Sequence, residues 1–124
     1  MEGAMKLKYN QIESLSAQQL LDCSTAYGNY GCNGGLMNYA FSYLRTTKLE
    51  SWSSYPFVGY NQNCMANPSQ GVVGTSGYVS LPNYSPSSLK QAVAKTPVSV
   101  AINGGDYYYQ FYQGGILNSL YCGV

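Results

Sequence analysis

Four cysteines are the sequence feature that most constrains what this chain can fold into. Cys23, Cys32, Cys64 and Cys122 are spread over 124 residues, and no two of them form a CxxC pair. Zinc sites and thioredoxin-type redox sites are therefore disfavoured, because both usually need closely spaced thiols. Disulfide bonds are the better interpretation, and they are typical of secreted or lumenal proteins. Four cysteines allow three pairings, and the residues alone do not choose among them.

Histidine is absent from all 124 residues, which limits the chemistry that these residues can perform. They cannot by themselves build a Ser-His-Asp triad, a Cys-His pair or a Cys/His zinc site. Six Lys and Arg against five Asp and Glu give a formal charge of +1, so no basic surface is available for nucleic acid. No apolar run is long enough to cross a bilayer, and the first residues lack the apolar region of a signal peptide.

Start and stop signals predict four helices. Ser16 begins an S-x-x-Q capping box, Asn33 is the predicted N-cap of a helix with an apolar stripe, and Ser85 precedes a proline at the first helical position. The opening helix has no N-terminal cap, so we expect the chain to begin inside a longer helix. The predicted ranges are 2–8, 16–23, 33–45 and 85–95.

Two segments predict strands. In residues 98–102, Val and Ile alternate with smaller or polar residues, which is the pattern of a half-buried strand. Residues 77–81 also predict a strand, and residues 106–112 predict a short helix or a turn. Helices followed by mixed strands indicate an α+β fold.

A series of short motifs runs along almost the whole chain. Residues 14–23 read SLSAQQLLDC and residues 31–41 read GCNGGLMNYAF. Further landmarks are YPF at 55–57, Cys64, GY at 77–78, LKQAVA at 89–94, PVSVAI at 97–102 and YQFYQGGI at 109–116. In composition, order and spacing this series resembles the papain family of cysteine peptidases, in particular its cathepsin L-like branch.

The resemblance implies a papain-like two-lobe fold of the α+β class, truncated at both ends. Residues 1–124 would form a partial peptidase domain, with a mainly helical left lobe over about 1–70 and part of a sheet-rich right lobe over about 71–124. The family's catalytic cysteine segment and its catalytic histidine have no counterpart among these residues. We therefore expect these 124 residues to have no peptidase activity alone.

The resemblance also assigns candidate substrate-binding residues. The Gly34 and Gly35 backbone would run alongside a bound peptide and pair with it like an added strand. The pocket for the second side chain before the scissile bond would be lined by Leu36, Met37 and Ala101, and Tyr39 would line a neighbouring subsite. Without the family, the same residues have simpler interpretations. The glycines would be a turn before a helix, Leu36 and Met37 would be core residues, and Ala101 would merely be exposed.

The cysteine pairing is likewise implied by the family. By resemblance, Cys23 forms a disulfide with Cys64. With a separation of 41 residues, this bond would stabilise the fold by about 4 kcal/mol in the chain-entropy model. Cys32 and Cys122 correspond to cysteines bridged to segments that this sequence lacks, so we expect both to be unpaired here. The alternative, that Cys32 and Cys122 pair with each other, would join residues of different lobes.

Three functions are compatible with the sequence. The first is part of a papain-like cysteine endopeptidase, without cofactor or metal, monomeric at full length, lysosomal or extracellular, and acting on peptide or protein substrates rather than on nucleic acid or membranes. The second is a secreted, non-catalytic, peptidase-like binding protein. The third is an unrelated Tyr/Gly-rich structural module, which the ordered motifs disfavour. The coding sequence before Met1 separates the first two, because Cys-Trp-Ala-Phe there predicts a peptidase and Ser or Gly in place of that cysteine a binding homologue.

Overall fold

The computed structural model of the chain describes residues 1–117. Its helices, in chain order, are α1 (Glu2–Tyr9), α2 (Ala17–Cys23), α3 (Met37–Leu44), α4 (Pro86–Val93) and α5 (Tyr107–Gln110). Short 3₁₀ turns lie at Thr25–Tyr27, Gly31–Asn33 and Pro68–Gln70. The β-structure of this part consists of two isolated antiparallel bridges, which pair Leu15 with Ser51 and Leu49 with Val73.

The N-terminus of α2 confirms the predicted cap. Ser16 Oγ accepts a hydrogen bond from the Gln19 backbone N–H at 3.0 Å and donates one to the Tyr55 carbonyl oxygen at 2.7 Å. Only half of a capping box forms, because the Gln19 side chain does not return to the Ser16 N–H. That N–H instead donates to the carbonyl oxygen of Glu50 at 3.0 Å. The cap therefore joins the start of α2 to the segment that follows α3.

Buried polar side chains of α2 tie distant backbone segments together. Gln19 Nε2 donates to the Tyr43 hydroxyl at 2.9 Å and to the Lys48 carbonyl at 3.0 Å, and Gln19 Oε1 accepts from the Glu50 N–H at 2.7 Å. Gln18 Oε1 accepts from the Val58 N–H at 3.0 Å. Among the described residues no buried side-chain nitrogen or oxygen lacks a partner, so this polar interior is satisfied.

The apolar core is small and includes the last residue of the same helix, Cys23. It consists of Met5, Leu15, Cys23, Tyr43, Leu44 and Leu49. Within residues 1–117, every buried residue lies between Met5 and Tyr55. The first half of the described chain therefore contains the interior, and the described residues after Tyr55 are exposed or half-buried.

Helix α1 forms where it was expected and ends at a left-handed residue. Its acidic residue, Glu2, lies in the first turn and its lysines lie in the last turn, which suits the helix dipole. Asn10 follows with φ 55° and donates its N–H to the Lys6 carbonyl at 3.0 Å. The Glu2 carboxylate also accepts the Leu15 N–H at 2.9 Å, so α1 is tied to the segment leading into α2.

Helix α3 begins at Met37 rather than at the predicted position 33, and Asn33 is not its N-cap. Asn33 ends a separate 3₁₀ turn, and Gly34 follows it with φ 106° and ψ −171°. This backbone conformation is far from helical, so it separates the turn from the helix. Leu36 occupies the N-cap position, and no side chain caps the helix there.

The two predicted strands, 77–81 and 98–102, do not form among the described residues. Val100 and Ile102, which should have faced a core, are 55% and 58% exposed. A strand is stabilised by a partner that takes up its N–H and C=O groups. Within residues 1–117 no segment pairs in this way with 98–102, so alternation of side chains alone was insufficient.

The later helices agree with their start signals. Ser85 Oγ accepts the Ser88 N–H at 3.4 Å at the start of α4, and Pro86 is its first residue. Asp106 caps α5 by accepting the Tyr109 N–H at 3.1 Å, which realises the helical alternative for 106–112.

A ring stack and a close approach are among the contacts that join the chain after residue 75 to the buried half. The Phe41 ring on α3 stacks with Tyr78, with ring centroids 6.0 Å apart. Gly3 on α1 lies so close to Pro97 that an added Cβ would be 2.8 Å from the proline Cγ. The division into lobes at about residue 70 stays a prediction.

We expect Gln19→Ala to destabilise the chain strongly, because it removes the side-chain bonds of two buried partners, the Tyr43 hydroxyl and the Glu50 N–H, and that of the Lys48 carbonyl. The expected loss in the free energy of unfolding is about 3 kcal/mol. Gln91→Ala on the exposed side of α4 is the matched control, with a change within about 0.5 kcal/mol. Urea unfolding of both variants measures the difference, and equal losses would contradict the role given to Gln19.

Candidate functional site

The glycine loop, residues 31–36, consists of a 3₁₀ turn and the three residues before α3, and it contains three of the six predicted substrate-binding residues. The Tyr30 N–H donates to the Gly34 carbonyl at 2.9 Å, and the Gly34 N–H donates to the Gly31 carbonyl at 3.2 Å. The φ of 106° at Gly34 explains glycine at that position, and an added Cβ there would meet nothing within 4 Å. Two backbone hydrogen bonds therefore close the turn, while the space beside Gly34 is open.

Gly35 presents its backbone to solvent. It is exposed, and among the described residues nothing hydrogen-bonds to its N–H or to its carbonyl oxygen. Its other side is filled, because an added Cβ would lie 2.1 Å from Asn29 Oδ1. Gly35 therefore offers one donor and one acceptor on an accessible edge, the pair of groups that an extended peptide backbone can meet.

Apolar side chains continue from this edge into α3. Leu36 is 56% exposed and Met37 is 42% exposed, so neither is a core residue here. Tyr39 is half-buried, and its ring packs against Gly28, where an added Cβ would lie 2.9 Å from the ring. The polar edge of Gly35 is thus bordered by apolar side chains on the outer surface.

A comparison with protein families identifies the chain. The model of the papain family cysteine protease matches residues 1–124. The chain belongs to the papain family of cysteine proteases.

Two relatives with cathepsin names illustrate the similarity. Cathepsin S of Rattus norvegicus is 42% identical over 126 residues, which cover 98% of this chain and 38% of the relative. Procathepsin L of Mus musculus is 39% identical over 117 residues, which cover 94% of this chain and 35% of the relative. The chain therefore spans little more than a third of the length of these relatives.

Solved structures confirm the papain-like fold. The Carica candamarcensis cysteine protease CMS1MS2, solved in complex with E-64, superposes with a TM-score of 0.81 at 34% identity, over 92% of this chain and 53% of that chain. Digestive procathepsin L 3 of the Tenebrio molitor larval midgut gives a TM-score of 0.73 at 42% identity, over 76% of this chain and 31% of that chain.

In the described part of this papain-family chain, no hydrogen bond connects Ala101 with the glycine loop. Ala101 is exposed in the segment between α4 and α5. Within residues 1–117, no hydrogen bond, disulfide or ring contact joins 98–102 to 34–39. Its place in a shared pocket with Leu36 and Met37 stays a prediction.

The cysteines follow the pairing that the family implied wherever the structure describes them. Cys23 and Cys64 form a disulfide with 4.7 Å between their Cα atoms, which joins the end of α2 to the segment after Gln62. Cys32 is free and exposed in the 3₁₀ turn of the glycine loop. Cys122 lies outside the described residues.

A cavity of about 610 Å³ lies elsewhere, between the C-terminal ends of α1 and α3. Its lining includes Met5, Leu44, Lys48 and Val73, and it shares no residue with the predicted substrate-binding set. In the described part, no group of three or more Cys, Asp or Glu side chains gathers to hold a metal ion. No helix among residues 1–117 combines the length and the apolar character needed to cross a membrane.

Two residues that fix the glycine loop were missed by the sequence analysis. Asn29 Oδ1 accepts the Leu36 N–H at 2.9 Å, and Asn61 Oδ1 accepts the Cys32 N–H at 2.8 Å. Asparagine commonly bonds nearby backbone in turns, so the position of Asn29 was a usable signal. Asn61 is 29 residues from Cys32, and no local pattern could have revealed that contact.

Tyr55 is the buried titratable group with the largest change. Burial, together with the hydrogen bond from its hydroxyl to Asp22 Oδ2 at 2.8 Å, raises the pKa of Tyr55 to about 12. Asp22 also accepts the Gln62 N–H at 2.8 Å. The neutral tyrosine therefore helps to hold the segment before Cys64 against α2.

This shift predicts a loss of stability in alkali. Because the folded chain holds the Tyr55 proton more tightly than the unfolded chain, the contribution is complete below about pH 10 and is lost as the pH rises through about 12. Between pH 10 and 12, the unfolding free energy of the wild type should fall by about 2 kcal/mol more than that of Tyr55→Phe. Exposed Tyr84→Phe should behave like the wild type, and an identical pH dependence in all three proteins would refute the assignment.

Proposed function

We propose that this chain forms a substrate-binding wall of a papain-like cysteine endopeptidase. In this proposal the complete protein hydrolyses peptide bonds through a thiolate paired with a histidine, and both catalytic residues lie outside these 124 residues. Membership of the papain family supports the peptidase class. The absence of histidine from all 124 residues supports a role in binding rather than in bond cleavage for the part described here.

One observation carries the proposal, namely the exposed Gly35 backbone with no partner among the described residues. An extended peptide that pairs with Gly35 gains two backbone hydrogen bonds, as in strand addition. Gly34 leaves the adjacent backbone open, since nothing lies within 4 Å of the position of a Cβ. The two glycines thus act as a rail for the substrate backbone.

The side chains beside the rail set the specificity in this proposal. Exposed Leu36 and Met37, together with the small Ala101, receive a bulky apolar side chain two positions before the cut. Tyr39 lines the neighbouring subsite. Apolar walls of this kind favour Leu, Phe or Val over charged side chains because burying an unpaired charge is costly.

The partner in this proposal is a peptide or protein, and the complete protein is a monomer without nucleic acid or membrane ligands. A lysosomal or extracellular location is favoured by the Cys23–Cys64 disulfide, since such bonds persist in oxidising compartments. A net charge of +1 offers little attraction for phosphates.

A non-catalytic binding protein is the second candidate. The free Gly35 edge would bind a peptide whether or not a catalytic cysteine and histidine stand nearby, and this chain contains no histidine. Cleavage of a peptide by the full gene product separates the two candidates.

We expect the 124-residue chain to bind the capped peptide acetyl-Ala-Phe-Ala-amide without hydrolysing it. N-methylation of the phenylalanine nitrogen removes the donor to the Gly35 carbonyl and should weaken Kd on the order of fivefold. Titration followed by the amide shift of Gly35 measures both affinities. Equal binding of the two peptides, or shifts confined to the cavity beside Lys48, would contradict the proposal.

A further inference from the structure

We infer that Asn29 and Asn61 are positioning residues that fix the two ends of the glycine loop and thereby set its affinity for an extended peptide. The inference rests on the proposed peptide-binding function of the loop. The two side chains act through hydrogen bonds to backbone N–H groups of the loop and through close contact with two of its glycines.

Asn29 joins the loop to the end of α2. Its Nδ2 donates to Ser24 Oγ at 2.8 Å, and its Oδ1 accepts the Leu36 N–H at 2.9 Å. Ser24 is fully buried and its hydroxyl donates to the Leu20 carbonyl at 2.6 Å, so the anchor is itself fixed. One amide therefore transmits the position of α2 to the residue directly after Gly35.

Asn61 fixes the other end of the loop from a different segment. Its Oδ1 accepts the Cys32 N–H at 2.8 Å. The backbone on either side of Asn61 is held by buried groups of α2. Gln18 Nε2 donates to the Tyr60 carbonyl at 2.8 Å, and Asp22 Oδ1 accepts the Gln62 N–H at 2.8 Å. Both anchors thus lead back to the same helix.

The glycines at the two ends fit these amides closely. An added Cβ at Gly31 would lie 2.2 Å from Asn61 Oδ1, and one at Gly35 would lie 2.1 Å from Asn29 Oδ1. Contacts this short cannot exist with a side chain present, so each asparagine occupies the space that a glycine leaves. Glycine at position 35 is therefore explained by Asn29 behind it as well as by a peptide in front of it.

The two anchors bond to the N–H groups of Cys32 and Leu36. Among the described residues, the N–H and carbonyl groups of Gly35 therefore stay free for a peptide. A loop held at both ends loses less conformational freedom when a peptide pairs with it, and this raises the affinity. A loop released at one end must be ordered by the peptide itself. The anchors should therefore alter Kd more than they alter the stability of the fold.

The experiment compares variants of the 124-residue chain in three measurements: Kd for acetyl-Ala-Phe-Ala-amide, amide hydrogen exchange at Cys32 and Leu36, and the thermal midpoint. Asn29→Ala and Asn61→Ala should each weaken Kd on the order of fivefold and expose the corresponding amide to exchange. Asn63→Ala is the matched control, because Asn63 is exposed and makes no hydrogen bond among the described residues.

Aspartate variants separate positioning from a loss of packing. Asn61→Asp keeps an acceptor for the Cys32 N–H, so its Kd should stay near that of the wild type. Asn29→Asp keeps the acceptor for the Leu36 N–H but loses the donor to Ser24 Oγ. The Ser24 hydroxyl already donates its proton to the Leu20 carbonyl, so it cannot replace the lost bond, and Kd should be weakened as in Asn29→Ala. The same substitution should thus restore binding at one position and not at the other.

Three outcomes overturn the inference in distinguishable ways. If the wild type binds the peptide and the two alanine variants bind it equally well, the positioning role is wrong and the proposed function stands. If the wild type does not bind the peptide, the proposed function is wrong and the inference falls with it. Equal weakening by Asn63→Ala would also overturn it, because the effect would then be unspecific.

Discussion

Hydrogen bonds from the buried side chains of α2 to distant backbone are the interaction on which the rest of this structure depends. Gln18, Gln19 and Asp22 are all buried on a helix of seven residues. Each bonds to backbone N–H or carbonyl groups between Lys48 and Gln62. Because few apolar residues are buried, these satisfied polar groups fix one arrangement of the loops.

The peptide-binding edge is a consequence of that arrangement. The segment around Asn61 is held on α2, Asn29 bonds to Ser24 just after α2, and the loop between these contacts presents Gly35 outwards. The site therefore lies on a rigid base although it consists of glycines. The glycine loop is the better candidate because it contains three of the predicted substrate-binding residues, whereas the cavity beside Lys48 contains none of them.

The sequence predicted features that are encoded locally, such as the Ser16 and Ser85 caps, and the family resemblance supplied the Cys23–Cys64 pairing. Prediction from local sequence patterns failed where the structure depends on partners far along the chain. The segment 98–102 alternates like a strand but pairs with nothing among the described residues. The start of α3 was misplaced because Gly34 adopts φ 106°, a backbone state that composition does not specify.

The most direct test of the central claim is a measurement of the scalar coupling across hydrogen bonds between ¹⁵N-labelled chain and capped peptide carrying ¹³C at its carbonyl groups. Pairing along the glycine loop predicts a coupling from the Gly35 amide nitrogen to the phenylalanine carbonyl carbon. A bound peptide with no such coupling, whose contacts instead fall beside Leu44 and Val73, would show that the cavity and not the glycine loop is the binding site.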